Sequence, residues 1–403
     1  MTQQTTDGRV VFDPYSIEFF DDPFPTYARL REEAPVYFNE RYGFYALSRY
    51  QDVSEASANW QVFSSSHGST LSNLTDPDFA PRLIINFDPP HHDRLRSLVN
   101  RAFSPKGVAR MEEVVREVIG TVLAPLEGRD SFDVVADFSA IFPNEIISGV
   151  LGIPVADRPR VRRWTDQFLH RSEGTGELTE ETKQAFIDQI RFFVDLAEEK
   201  RRHPGNDMIS SLIEAEVDNG DGGTTRLTDE EVANFAFTLG AAGTETVTKL
   251  VANAIVLFHR HPDQLRLLLD EPERMPAAVE EVMRYWAPSH LQGRYTTSDV
   301  TLHGVTIPKH SPVLLITASA NRDARAYDDP DRFDIARTNL PASVSLGRGP
   351  HYCIGAALAR TESRIALTEF LRRWPSFDVD ELAMQRVHMA NVAGYSNVPI
   401  AVG

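Results

Sequence analysis

The sequence predicts a mainly α-helical protein with small β-sheets, organised as one large domain over residues 1–403. Three observations predict this. Most of residues 91–290 reads as helix. The strand-like runs are short and lie on either side of that stretch. No repeat, low-complexity segment or long linker marks a boundary. Length alone would favour two or three domains, but it is a soft prior.

In chain order, the runs VYF and GFYAL flank Asn39 to Gly43 and read as a hairpin within Pro35 to Tyr50. Phe186, Ile190, Phe193, Val194 and Ala197 recur at helical spacing among charged residues, giving an amphipathic helix that ends at His203-Pro204. The stretch VDNGDGG, residues 217–223, reads as a solvated loop. Thr228 and Glu231 then have capping-box spacing, in which each side chain satisfies an open backbone N–H. No proline follows until Pro262. Roughly thirty residues, on the order of 45 Å, can therefore run as one helix. Strands return near Leu302 to Ile307 and Val313 to Ile316, separated by Pro308 to Pro312.

Composition narrows the function. The formal net charge of −17 argues against general binding to nucleic acid or anionic lipid, though a local basic patch is compatible with it. The single cysteine rules out an intramolecular disulfide and fits a reducing cytoplasm. The twelve histidines form no HExxH pattern and there is no CxxC, so a zinc site is not expected. The first thirty residues lack the basic and apolar order of a signal peptide. Apolar stretches such as Leu250 to Phe258 fall short of the roughly 18 to 20 residues that span a bilayer. The expectation is a soluble, cytoplasmic monomer.

The richest segment is SLGRGPHYCIGAALAR, Ser345 to Arg360. Gly347 and Gly349 permit positive φ and close backbone approach, as a tight turn against a flat ligand requires. Cys353 follows the turn, and Gly355 opens a helix. A thiolate at a helix N-terminus gains from the macrodipole, and the same N–H groups can tune its donation to a metal. A buried structural cysteine remains the alternative on these residues alone. The same holds elsewhere. Glu281 and Arg284 in EEVMRYWAP could be a surface ion pair at i,i+3. His92 and Arg96 in DPPHHDRLRSLV share one helix face, which could simply be solvated. The small residues of GAAGTETVT could mark a helix–helix contact, with Thr246 bonding back to the carbonyl of Ala242.

Taken together and in this order, these segments resemble the cytochrome P450 family from about Pro23-Phe24-Pro25 nearly to the C-terminus. LGRGPHYCIG, residues 346–355, is similar to the haem-binding signature FGxGxHxCxG at Gly347, Gly349, His351, Cys353 and Gly355. Leu346 stands where the family has phenylalanine. The resemblance implies the P450 fold, with haem b between the long central helix and the cysteine-loop helix, and Cys353 as axial iron ligand. It implies that His92, Arg96, Arg294 (in GRYTTSD) and His351 balance the two haem propionates. Ala242, Gly243, Leu346 and Gly347 would line the haem, and a local distortion of the helix would make a groove for dioxygen and water. Glu245 and Thr246 would be the acid–alcohol pair that delivers protons. Glu281 and Arg284 match the family's ExxR pair, with Arg332 in DDPDRFD completing a buried triad that braces the cysteine loop.

The implied reaction is insertion of one oxygen atom from O2 into a lipophilic small molecule. A peroxide-dependent peroxygenase and a non-catalytic haem sensor or electron carrier are the alternatives, both disfavoured by Glu245-Thr246. No GxGxxG fingerprint in a βαβ context and no fused reductase are visible, so a separate ferredoxin or flavodoxin with its reductase is expected. Arg94, Arg101, Lys106, Arg348 and Arg360 could form its docking patch. The family's substrate-contact regions map to Leu83–Phe87, residues 165–178, Phe235–Leu239, Ser289–Gln292 and Met389–Val392.

Overall fold

The computed structural model describes residues 8–75, 82–170, 178–218, 223–338, 340–389 and 391–403. Its axis is the helix Asp229–Arg260, 32 residues without a break. The expected capping box is present: the Glu231 N–H donates to Thr228 Oγ1 at 3.2 Å, and the Thr228 N–H donates to Glu231 Oε2 at 2.9 Å. Asp229, Glu230 and Glu231 in the first turn and His259 and Arg260 in the last complement the helix dipole. From Val247 to Phe258 every residue is buried, so this half of the helix is core on all sides.

Among the helices that pack against it are Phe142–Leu151, Arg158–Leu169, Glu180–Arg202, Met275–Tyr285 and the cysteine helix Ala356–Arg373. Glu180–Arg202 is the amphipathic helix predicted above. Thr179 Oγ1 caps it by accepting from the Thr182 N–H at 3.2 Å, and Lys200, Arg201 and Arg202 close its last turn before His203. The main core draws its residues from Leu83 to Ile400 and includes both the central helix and the cysteine helix.

The β-structure is small. The hairpin Val36–Asn39 and Phe44–Leu47 is antiparallel, with Val36 opposite Leu47. Its second strand pairs in parallel with Pro312–Ile316, which runs antiparallel to Leu291–Thr296, and Phe63–Ser64 closes the five-stranded sheet. The parallel pair joins residues 45–47 to 313–315 and so ties the first part of the chain to the last.

Two sequence expectations change. Val217 and Asp218 are not loop: Glu216–Asp218 pairs with Thr224–Arg226, where β-branched threonines supply the partner strand. Residues 219–222 of that stretch lie outside the described residues. Residues 302–307 are not one strand. Val300–Leu302 and Val305–Ile307 form a hairpin that turns at His303 and Gly304, with φ of 50° and 79°.

Candidate functional site

The cysteine turn is built by its glycines. Gly347 and Gly349 have φ of 72° and 66°, a region that side chains with a Cβ enter only at a cost. The chain passes so close to Ala58 that a Cβ on Gly349 would lie 2.7 Å from the Ala58 Cα. The turn is locked by the Cys353 N–H, which donates to the Leu346 carbonyl at 2.8 Å. Gly355 is the N-cap of Ala356–Arg373, and its backbone N–H bonds toward the Cys353 sulfur. Burial nevertheless pushes the thiol up, with that hydrogen bond and the charges of Arg96 and Arg360 opposing it. A desolvated sulfur that needs a positive partner to ionise suits a metal ligand.

Beside the turn, four nitrogen donors converge. The rings of His92 and His351 lie 4.3 Å apart. Arg96 donates to the carbonyls of Pro350 at 2.7 Å and Tyr352 at 2.6 Å, reaching from the helix His91–Phe103 to the cysteine turn. Arg294, on Leu291–Thr296, is buried, donates to its neighbour's carbonyl on Gly293 at 2.7 Å, and forms no ion pair among the described residues. Desolvation, reinforced by the charges of Arg294, His92 and Arg96, holds His351 at about 2. Burial lowers Arg294 to about 10 and depresses His92 and Arg96 as well. The His351 Nε2 has no hydrogen-bond partner among the described residues. Of the nearby carboxylates, Asp93 is taken by His92 at 2.9 Å, and Asp88 by Ser64 and the Ser65 N–H. Two desolvated guanidinium groups and two imidazoles held neutral, one with an orphaned ring nitrogen, next to a buried thiol suit a ligand carrying anionic groups. The residues present fit haem.

The brace of the cysteine turn lies behind it. Glu281 and Arg284, on Met275–Tyr285, are buried and joined bidentately, Arg284 Nε to Glu281 Oε2 at 2.7 Å and Nη2 to Oε1 at 2.8 Å. The third partner is Arg337, not Arg332. Arg337 Nε stands 3.1 Å from Glu281 Oε1 and its other nitrogens hold the carbonyls of Asp328, Asp329 and Arg332. The Arg332 side chain is 62 % exposed and sits 3.6 Å from Asp334; only its carbonyl enters the network, accepting from Arg284. From the triad the brace runs to the turn through Asn321: Arg284 donates to the Asn321 carbonyl at 2.9 Å, and the Asn321 amide holds Ser345 Oγ at 2.6 Å and the Val344 N–H at 2.9 Å.

On the central helix, Thr246 Oγ1 donates to the Ala242 carbonyl at 2.8 Å, and Thr244 and Thr248 bond back to Gly240 and Thr244 in the same way. The helix is continuous here rather than distorted. Its open face comes from small side chains: Ala242 is exposed, and Ala241 and Gly243 are half-buried. Glu245 is buried and pairs with Lys249 Nζ at 3.2 Å. Asp166, from the Arg158–Leu169 helix, is near it, and burial first, then the nearby Glu245, push the Asp166 carboxyl up.

Two of the expected substrate regions meet. Ile84 and Phe87 line a cavity of about 330 Å³ with Leu95 and Phe235, and Arg82, Glu230, Glu231 and Asn234 form its polar side. Bridges from Ser289 to Val392 and from His170 to Met389 bring the remaining regions together. Residues 171–177 and 390 of those regions lie outside the described residues.

The comparisons agree with this geometry. The family model for cytochrome P450 matches residues 35–391. The chain belongs to the cytochrome P450 family. It is 40 % identical over its whole length to cytochrome P450 123 of Mycobacterium tuberculosis, covering 99 % of that protein. It is 34 % identical to the vitamin D(3) 25-hydroxylase of Pseudonocardia autotrophica, over 99 % of this chain and 98 % of that one. Among solved structures it is similar to a P450 of Bacillus megaterium in complex with testosterone, with a TM-score of 0.86, 31 % identity, and 96 % and 99 % of the two chains covered. The fold is therefore the P450 fold and the enzyme a P450 monooxygenase. Among the described residues no helix is long and apolar enough to cross a membrane.

Three residues of this P450's site escaped the sequence reading. Arg337 was hidden by Arg332, five positions away in the same loop. Lys249 carried a visible signal, since it lies one helical turn after Glu245. Asp166 carried none. Its link to Glu245 is purely tertiary.

Proposed function

We propose that this P450 hydroxylates or similarly oxidises a lipophilic small molecule, holding haem b by Cys353 and drawing electrons from a separate ferredoxin or flavodoxin and its reductase. The observation that carries the site assignment is the cluster of His92, Arg96, Arg294 and His351 beside Cys353, in which Arg294 is buried without an ion pair among the described residues.

Haem, when bound, supplies dioxygen activation and transfer of one oxygen atom to substrate. Cys353 would hold the iron through its sulfur, and the Gly355 N–H would temper the charge on that sulfur. His92, Arg96, Arg294 and His351 bind the propionates. Arg96, already fastened to the Pro350 and Tyr352 carbonyls, also sets the position of the turn. Leu346, Gly347, Ala242 and Gly243 would line the haem. The Thr246 hydroxyl spends its proton on Ala242 and so presents lone pairs, which order a water or another O–H donor. Glu245, the neighbouring acid, moves protons inward.

The cavity walls of Ile84, Phe87, Leu95 and Phe235 support an apolar substrate body, and its polar side supports one oxygen-bearing end. The vitamin D(3) hydroxylase and the testosterone complex support steroid-like compounds as the first to test. For the redox partner, Arg101 and Lys106 are exposed. Arg360 is paired with Glu280, so the patch has fewer than five unpaired charges. We take residues 1–403 as one catalytic domain, supported by a core that reaches from Leu83 to Ile400, and the protein as a cytoplasmic monomer.

The test is a steroid and fatty-acid panel titrated into the ferric holoenzyme, followed by turnover of the binders with NADH, a surrogate ferredoxin and its reductase. A mono-oxygenated product is expected. Binding without NADH-driven oxygenation, or product from hydrogen peroxide alone, would overturn the proposal in favour of a sensor or a peroxygenase respectively.

A further inference from the structure

We propose that His290 is a specificity-determining residue, donating a hydrogen bond from Nε2 to an oxygen at one end of the substrate. That oxygen, of a ketone, hydroxyl or ether, sits in a small niche between the helix Ile17–Asp21 and the chain around Val392. The proposal rests on the reading of Ser289–Gln292 and Met389–Val392 as walls of the substrate site, and names the group those walls recognise.

The niche is mostly apolar. Phe19, Phe20, Met389 and Val392 line it, and His290 and Asn391 supply its polar side chains. Its volume is about 30 Å³. A water needs roughly 10–15 Å³ on the same measure, so the niche takes one or two waters or the tip of a ligand, not its body.

Backbone hydrogen bonds fix its wall. The His290 N–H donates to the Asn391 carbonyl at 3.2 Å, the Ala393 N–H donates to the Pro288 carbonyl at 2.7 Å, and Ser289 bridges to Val392. Two residues further on, the Gln292 amide nitrogen lies 3.6 Å from where a Cβ on Gly347 would stand. The strand Leu291–Thr296 thus passes from the niche to the cysteine turn within about 7 Å of backbone. A small molecule over the haem site can span that length.

Tyr27 decides which ring nitrogen carries the proton. Its hydroxyl lies 3.3 Å from His290 Nδ1 and has no other hydrogen-bond partner among the described residues. Burial keeps both groups neutral: it pushes the Tyr27 hydroxyl well up and, aided by Arg322 and Arg386, lowers His290 to about 3. A proton on Nδ1 would strand both the phenol hydrogen and the Nε2 lone pair. With the hydroxyl donating to Nδ1, only the Nε2–H is left over. His290 is 3 % exposed, and its Nε2 has no hydrogen-bond partner among the described residues. The Ala287 carbonyl comes near the ring, but no hydrogen bond of ordinary geometry joins it to Nε2. A buried donor left unmet is costly, and an acceptor placed opposite it recovers that cost. In an apolar niche this discriminates between ligands that end in an oxygen and those that end in a methyl group.

The test uses probes fixed at the iron. The nitrogen of a 1-alkylimidazole binds ferric haem and moves its Soret band, so the far end of the chain can be varied independently. The ferric holoenzyme is titrated with such imidazoles of increasing chain length, each ending in a methyl group or a methyl ketone. At the length that reaches the niche, the ketone should bind about tenfold more tightly, the scale of one hydrogen bond to a buried donor. His290→Gln keeps a donor at the position of Nε2 and should retain most of that preference. His290→Asn keeps only the position of Nδ1 and should lose it. A normal reduced carbon monoxide spectrum in each variant establishes that it folds and binds haem. No ketone preference at any length in the parental protein would overturn the proposal and leave the niche to water. A parental preference in His290→Asn would overturn the role of His290. The absence of any Soret shift would overturn the haem site itself. A ketone preference without NADH-driven oxygenation of the steroid and fatty-acid panel would remove the proposed function and leave the niche standing.

Discussion

Arg337 reaches Glu281 at 3.1 Å from a loop fifty-six residues away, and with Arg284 it surrounds that carboxylate on its buried side. Removing Arg337 leaves Glu281 one partner short and takes a donor from the carbonyls of Asp328, Asp329 and Arg332. Arg337→Ala should therefore cost about 3 kcal/mol, the lower end for a broken buried pair. Because the brace ends at Val344 and Ser345, haem content should fall with it. Arg332→Ala removes an exposed side chain and should stay within about 0.5 kcal/mol of the parent. Urea unfolding and haem-to-protein ratio check both.

Gly349→Ala asks a side chain to enter a positive-φ position against the Ala58 backbone. The loss should be at least about 2 kcal/mol, combining the left-handed backbone cost with the clash. Gly355→Ala is the control, since its φ is −82° and the nearest atom to an added Cβ is the Cys353 sulfur at 4.0 Å. Equal haem loading in the two variants would contradict the turn geometry.

Much of this was legible before the fold was known, because it is local. The capping box of Thr228 and Glu231, the two positive-φ glycines and the helix opening at Gly355 depend on residues within a few positions of each other. What was not legible is tertiary. Arg332 and Arg337 are equivalent as letters in one loop, and only the path of the chain past Asp328 and Asp329 turns Arg337 inward. The hairpin at Glu216–Arg226 hid behind a run of glycine and acid that reads as solvated. The expected distortion of the central helix is not there: the helix runs on through Thr244, Thr246 and Thr248, whose hydroxyls bond back to carbonyls within it.

His290 gives a pH signature. It is buried with Nδ1 at 3.3 Å from the Tyr27 hydroxyl and Nε2 without a hydrogen-bond partner among the described residues, and burial, aided by Arg322 and Arg386, depresses it to about 3. Between that value and the ordinary histidine range the unfolded chain binds a proton that the folded chain refuses, so stability falls as pH falls. From pH 7 to pH 5 this one group should remove about 2 kcal/mol. His290→Gln should flatten that part of the pH dependence in urea titrations. A parental slope would place the acid sensitivity elsewhere.

Thr246→Ala removes the lone pairs that order a proton donor beside Glu245. Product per NADH should drop severalfold and hydrogen peroxide rise in proportion, with haem content unchanged. Unchanged coupling would take Thr246 out of proton delivery.

The most direct measurement is the absorption spectrum of the reduced, carbon monoxide-bound protein, compared with that of Cys353→His. Ligation by the Cys353 sulfur predicts a Soret band far to the red of that of histidine-ligated haem proteins, lost in the variant while haem stays bound through His92, Arg96, Arg294 and His351. A parental protein without the red-shifted band, or a Cys353→His protein that keeps it, would contradict the account.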